Sequence, residues 1–162
     1  MSRKWFLLAL IIATGCASSP ETTSETPAAV EQVNDYPDIQ LVLQNGEAID
    51  ARNLEGNNIL MFFSPDCIHC HNEAREIRQN IEQFENYTLW FVSSREMAEI
   101  MEFATRYELQ DRDNVRFAWS STDGVLNFYG PIRIPSAYIY SGGRLRKSFD
   151  GPTPVDSLLQ AL

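Results

Sequence analysis

An α/β fold, a central mixed β-sheet with helices on both faces, is what the sequence predicts, and three observations predict it. Apolar runs of strand length stand at Asn58–Phe63, Thr88–Ser93 and Ser136–Tyr140. Stretches with helical periodicity follow the first two runs, and a hairpin pattern with a last helix follows the third. Strand, helix, strand, helix, hairpin, helix is the order of a sheet covered on both sides.

The chain opens on a leader. Arg3 and Lys4 precede an uninterrupted apolar run, Trp5 to Ala13, too short to span a bilayer. Small residues follow up to Gly15-Cys16, so residues 1–15 read as an export signal. The ending resembles the lipobox of bacterial lipoproteins, with Ala13 where leucine is usual, and that resemblance makes Cys16 the acylated first residue. Residues 16–36 then read as the lipidated cysteine and a disordered tether, rich in Ser, Thr, Glu, Pro and Ala. About 20 such residues span roughly 25 Å as a coil.

Residues 37–162 form the expected folded domain, long enough to bury its own core. Ile39–Leu43 and Glu47–Ile49 flank Asn45-Gly46, a two-residue hairpin signal. After the strand ending at Phe63, a helix is expected from Asp66 or Cys67 to Phe84. Its apolar face is Cys70, Ala74, Ile77, Ile81 and Phe84. A second helix is expected over Arg95–Tyr107, with Met97, Ile100, Met101 and Ala104 inward and a Glu102–Arg106 pair outside. Val115–Trp119 reads as a short strand and Gly124–Tyr129 as one or two helical turns. Ser136–Tyr140 turns through Ser141-Gly142-Gly143 into Arg144–Phe149. The last helix carries Thr153 as N-cap, Pro154 at its first position, and Val155, Leu158, Leu159 and Leu162 on one face.

The chemistry lies at the first strand-to-helix junction, Phe63-Ser64-Pro65-Asp66-Cys67-Ile68-His69-Cys70. Cys67 stands at the helix tip, where free N–H groups and the positive dipole end favour negative charge. Cys70, three residues on, can close a disulfide within that turn. With Cys16 lipidated, these two are the only cysteines left, so there is no structural disulfide framework. Loss of the leader leaves 11 basic against 22 acidic residues, a net charge of −11. That surface argues against nucleic acid and against electrostatic adhesion to anionic lipid. A compartment outside the cytoplasm is where protein disulfides form.

Together with Tyr129-Gly130-Pro131-Ile132-Arg133-Ile134-Pro135-Ser136 and the glycine hairpin after it, this junction resembles the thioredoxin superfamily. Within it the chain is similar to the membrane-tethered TlpA-type thiol:disulfide oxidoreductases. The resemblance covers the whole folded domain and implies a thioredoxin-like fold. It implies that Cys67 attacks, that Cys70 resolves and that Pro135 is a cis-proline which, with Ile134, binds the client backbone. It also places Glu73 where many such proteins carry an active-site glutamate. Cys70 and Glu73 are i,i+3 neighbours, so a carboxylate there can relay the Cys70 proton.

Departures from the family surround the pair: Asp66 replaces an aromatic residue, Met61 a buried acid, Arg75 a helix-kinking proline and Arg133 a glycine. His69 holds the position of a histidine in the oxidising DsbA. His69 and Arg133 are expected to tune Cys67 and raise the potential above thioredoxin's by some tens of millivolts, opposed by Asp66. No cofactor is required, because the cysteine pair itself carries two electrons. The implied partners are client proteins with disulfides and a membrane electron donor, with cytochrome c assembly one client route. The implied location is the periplasmic face of a membrane, held by lipid.

Rival readings remain. Cys67-Ile68-His69-Cys70-His71 is also the c-type haem attachment string, for which an electron carrier would need a haem pocket. Zinc is disfavoured further than haem, since two cysteines and two histidines within five residues cannot close a tetrahedron. A peroxiredoxin-like peroxidase would set its nucleophile in Pro-x-x-x-Thr-x-x-Cys, which Leu60 to Cys67 does not supply. A binding-only domain is disfavoured by the presence of both cysteines.

Overall fold

The computed structural model describes residues 34–162. The expected signal peptide, Cys16 and most of the expected tether lie outside the described residues. No helix among the described residues is long and apolar enough to cross a membrane.

Seven strands form one sheet: β1 Gln40–Val42, β2 Ala48–Asp50, β3 Asn57–Phe62, β4 Thr88–Ser93, β5 Val115–Trp119, β6 Ser136–Ser141 and β7 Arg144–Asp150. Four helices accompany them: α1 Ile68–Gln79, α2 Met97–Arg106, α3 Thr122–Tyr129 and α4 Val155–Leu159. The strand order is β2-β1-β5-β4-β3-β6-β7. β3, β4 and β5 run parallel, while β6 and β7 close one side antiparallel and β1 and β2 the other. The sheet is therefore mixed, as expected.

The period-2 alternation of the central strands sorts their side chains into two cores. On one face Ile59, Met61, Phe63, Leu89 and Phe91 pack under Ala74 and Ile77 of α1, Ile100 and Phe103 of α2, and Leu158 of α4. On the other face Leu60, Phe62, Trp90, Val92, Tyr138 and Tyr140 meet Leu41 and Val125 of α3. Burial of such a side chain contributes about 1.5–3 kcal/mol. This double covering makes β3 apolar at every position from Ile59 to Phe62.

Several boundaries differ from expectation: α2 runs Met97–Arg106, α3 starts at Thr122 and α4 ends at Leu159, short of Leu162, and the others have local reasons. α1 stops at Gln79 because the side-chain amide of Asn80 donates to the Glu76 carbonyl at 2.9 Å. Ile81–Phe84 continues as a 3-10 turn that still buries Ile81 and Phe84. The first hairpin closes through three residues rather than two. Leu43 N–H donates to Glu47 O at 2.8 Å and Gly46 N–H to Leu43 O at 2.9 Å, with Gly46 at φ 83°. That is a turn followed by a left-handed glycine.

Thr153 does not cap α4, for its hydroxyl donates to Gly151 O and Pro154 is the N-cap. The Glu76 carboxylate of α1 caps the helix instead, accepting from Val155 N–H at 3.2 Å. Tyr36, placed by sequence at the end of the tether, is buried and stacks on Tyr140 with centroids 4.3 Å apart. In α2 the inward residues are Ile100, Phe103 and Ala104, with Met97 and Met101 only half-buried. The Glu102–Arg106 pair forms at 2.7 Å, and Arg95–Glu99 adds a second at 2.9 Å.

Candidate active site

The site sits where β3 hands the chain to α1. Cys67 N–H donates to Ser64 O at 3.1 Å, closing a turn over Pro65 and Asp66. Cys67 is then the N-cap of α1, in extended backbone geometry (φ −87°, ψ 116°), and His71 N–H donates to its carbonyl. Cys67 makes no side-chain capping bond, so the first N–H groups of the helix keep no intrahelical acceptor beside it.

Across the tip lies Ile134-Pro135, joined by a cis peptide bond. The Cys67 thiol donates to Ile134 O at 3.9 Å. The structure thus brings Cys67 to the Ile134-Pro135 turn. Both cysteines are free thiols; Cys67 is half-buried, and Cys70 is buried at 2% exposure one turn below. Burial pushes the Cys70 thiol well above the usual range. Glu73 is not a solvated helix residue: it is 6% exposed, and burial pushes its carboxyl up to about 8, with Glu76 adding to the effect. An outer thiol and an inner, protonated thiol beside a neutral acid make a graded pair, one group to react and two to hold protons.

The residues expected to tune the pair are placed less centrally. The Arg133 guanidinium is held by Asp150, Nε to Oδ2 at 3.1 Å and Nη2 to the Asp150 carbonyl at 2.6 Å. Asp150 Oδ1 also accepts from Arg133 N–H at 2.7 Å, and Gly151 N–H donates to Pro135 O at 3.0 Å. Arg133 is therefore a clamp on the proline turn, not the cation aimed at Cys67 that the sequence suggests. His69 is exposed. Asp66 accepts from the Ser64 hydroxyl, which holds its carboxyl below the usual carboxylate range, with Arg95 and His71 assisting.

His71, the last residue of the rival haem string, is half-buried. Its Nδ1 lies 2.7 Å from Tyr107 Oη, and its ring packs beside Phe103 and Tyr107 of the α2 end. The only signal in the sequence was its place four residues after Cys67, on the face that α2 covers. Covalent haem does not fit these residues. Cys70 is sealed in the core, and His71 is engaged with Tyr107, so the attachment string does not present two thiols and a free imidazole together. Among the described residues no group of three or more His, Cys, Asp or Glu side chains could hold a metal ion.

Comparison with known proteins shows the family and the fold. The profile of the AhpC/TSA family matches residues 33–149. The fold is thioredoxin-like. It is similar to a secreted Mycobacterium tuberculosis disulfide oxidoreductase homologous to E. coli DsbE, with TM-score 0.64 and 19% identity over 76% of this chain and 93% of that one. It is also similar to StoA from Bacillus subtilis, with TM-score 0.58 and 20% identity over 77% and 96% of the two chains. A thioredoxin-like protein from Aeropyrum pernix aligns with TM-score 0.61 and 13% identity over 76% and 88%. At these identities the likeness is one of fold. A search of curated proteins finds no match.

Proposed function

The chain belongs to the AhpC/TSA family of thioredoxin-like proteins, and from that premise we propose that it exchanges dithiol for disulfide with client proteins outside the cytoplasm, in the reducing direction. The observation that carries the reading is Cys67 at the helix tip, 3.9 Å from the carbonyl of Ile134 before cis-Pro135, with Cys70 buried behind it. The Cys67 thiolate attacks one client sulfur, the client disulfide breaks, and a mixed disulfide forms as one client thiolate leaves. Cys70, its proton passed to water or, above about pH 8, to ionised Glu73, then attacks Cys67 Sγ. The Cys67–Cys70 disulfide forms and the second client thiolate departs. The client gains two electrons and takes up two protons, and the domain loses two electrons. A membrane dithiol donor has to restore them, so such a donor is part of the proposal.

Exchange is preferred to peroxide reduction because the resolving thiol lies in the same helical turn, and Leu60 to Cys67 lacks the peroxidase setting. Reduction rather than oxidation, and cytochrome c assembly as a client route, follow from the TlpA-type resemblance. Cys70→Ala should trap clients as mixed disulfides through Cys67, and Cys67→Ala should trap none. Faster alkylation of Cys70 than of Cys67 in the reduced protein would reverse these roles.

Placement at a membrane is proposed through Cys16, on the strength of the leader pattern alone. Cys16→Ala should move the protein out of the membrane fraction. Full retention of a processed Cys16→Ala protein would end that part of the proposal.

A further inference from the structure

The turn opposite Cys67 belongs to no helix or strand. Residues 131–135 run between α3 and β6 without a ladder of their own, so other bonds set where that turn lies. Arg133 and Asp150 supply most of them. Asp150 Oδ1 accepts from Arg133 N–H at 2.7 Å, and Oδ2 accepts from Arg133 Nε at 3.1 Å. Arg133 Nη2 donates to the Asp150 carbonyl at 2.6 Å, and Gly151 N–H donates to Pro135 O at 3.0 Å. Four bonds therefore bracket Ile134, three from Arg133 before it and one to Pro135 after it. The guanidinium passes against Gly151, where an added Cβ would meet Arg133 Cζ at 3.4 Å. Asp150 is itself fixed as the last residue of β7, opposite Ser136 in the β6–β7 register.

An ion pair this open adds little to stability. Its side chains are 75% and 52% exposed, and water and salt screen such pairs. What it adds is direction. An arginine fork that meets a carboxylate and a carbonyl together fixes an orientation that a lysine ammonium does not. The group so oriented is the Ile134 carbonyl, which accepts from the Cys67 thiol at 3.9 Å.

Two roles for Arg133 have opposite signs. As a cation beside Cys67 it would favour the thiolate, and its removal would slow the reaction of the sulfur with an electrophile. As the holder of a carbonyl it acts the other way. A hydrogen bond made by the protonated form of an acid disfavours the charged form, so a carbonyl kept on the S–H restrains the sulfur. The guanidinium charge is already met by Asp150, which leaves the carbonyl to decide the sign.

We propose that Arg133 and Asp150 are positioning residues for Cys67: their clamp keeps the Ile134 carbonyl on the thiol, restrains the free sulfur and sets the turn for a peptide client. The part concerning clients rests on the exchange activity proposed above. The part concerning the sulfur does not.

The test uses the reduced protein and two variants. Arg133→Met/Asp150→Ala breaks the clamp with no change in net charge, and Arg133→Lys keeps the charge without the fork. Iodoacetamide at neutral pH should modify Cys67 about threefold faster in the double variant, the scale of one weak hydrogen bond. Arg133→Lys should move the rate the same way by less. The gain should survive high salt, which screens a charge effect. Cys70, at 2% exposure, should stay unreactive, and the unfolding midpoint in urea should stay near that of wild type. In exchange, kcat/KM for a disulfide-bonded peptide should fall about tenfold in the double variant, while a small non-peptide disulfide should lose nothing.

Slower or unchanged alkylation of Cys67 in the double variant overturns the inference. So does a wild-type rate in Arg133→Lys, which would hand the effect to charge. Should the double variant not fold, the Arg133→Lys rate decides alone. Cys67 and Cys70 gaining reactivity together, or peptide and small disulfide losing rate equally, would mean a loosened helix tip and overturn it too. The expected change in alkylation in a protein that exchanges no disulfide would instead overturn the exchange reading, and leave the hold on the sulfur standing.

Discussion

Glu73 is a carboxyl that the fold keeps away from water while Cys70, three residues before it, is kept protonated by the same burial. Its titration is a statement about stability. The unfolded carboxyl loses its proton near the ordinary 4.5, and the folded one near 8. Between those values the folded state holds a proton that the unfolded chain has released, so stability falls as pH rises through that window. The expected loss is of the order of a few kcal/mol. Urea unfolding of wild type at pH 5 and pH 8 should show it, and Glu73→Gln should flatten the dependence. An equal slope in both proteins would show that Glu73 is not the titrating group. Arg133 has a contrasting position, because its guanidinium ends on Asp150 and its influence on the cysteines passes through the Ile134-Pro135 turn.

At the scale of elements, α1 does more than present cysteines. Its first turn carries Cys67 and Cys70, its middle buries Ala74 and Ile77, and its outer Glu76 caps α4. The short α4 thereby borrows a carboxylate for its first free N–H from a helix far away in sequence. Removal of an N-capping side chain costs about 1 kcal/mol. Glu76→Ala should lower stability by about that amount, read from the midpoint of denaturant unfolding. It should also raise amide exchange in the last helix more than in α1. A loss confined to α1 would mean that the capping bond carries no weight. α2 covers His71 in the same way, and converts what reads as a ligand string into a packed ring.

For the molecule as a whole, the folded unit begins with a docked strap. Asp35 N–H donates to Gly143 O at 2.8 Å, and Leu145 N–H donates to Asp35 Oδ2 at 2.9 Å, tying the strap to the β6–β7 hairpin. Tyr36 stacks on Tyr140, and its hydroxyl accepts from Asn58 Nδ2 at 2.8 Å while Asn58 Oδ1 accepts from Trp90 Nε1. Truncating a buried aromatic costs about 3–5 kcal/mol. Tyr36→Ala should destabilise the domain by about 3 kcal/mol. Tyr36→Phe should cost only about 1 kcal/mol, because Asn58 Nδ2 keeps its bond to Glu55 O. Equal, small effects of both changes on the unfolding midpoint would show that the strap contributes nothing to the fold.

Strand and helix existence and the Cys67–Cys70 pair are legible in the chain, because each rests on local signals. Apolar runs, helical periodicity and a Cys-x-x-Cys at a junction are properties of neighbouring residues. The resemblance that pairs Cys67 with Ile134-Pro135 adds one long-range contact, and the structure places them within 3.9 Å. What the chain conceals is every choice made by a polar side chain among distant partners. Arg133 turns to Asp150, His71 to Tyr107, Glu76 to Val155 and Tyr36 to Asn58 and Tyr140. Periodicity shows which face of an element is apolar, and it carries no information about which polar group from another element will lie within 3 Å. Burial creates that demand, because a polar group removed from water must find a partner there. Only the folded packing decides which one is near.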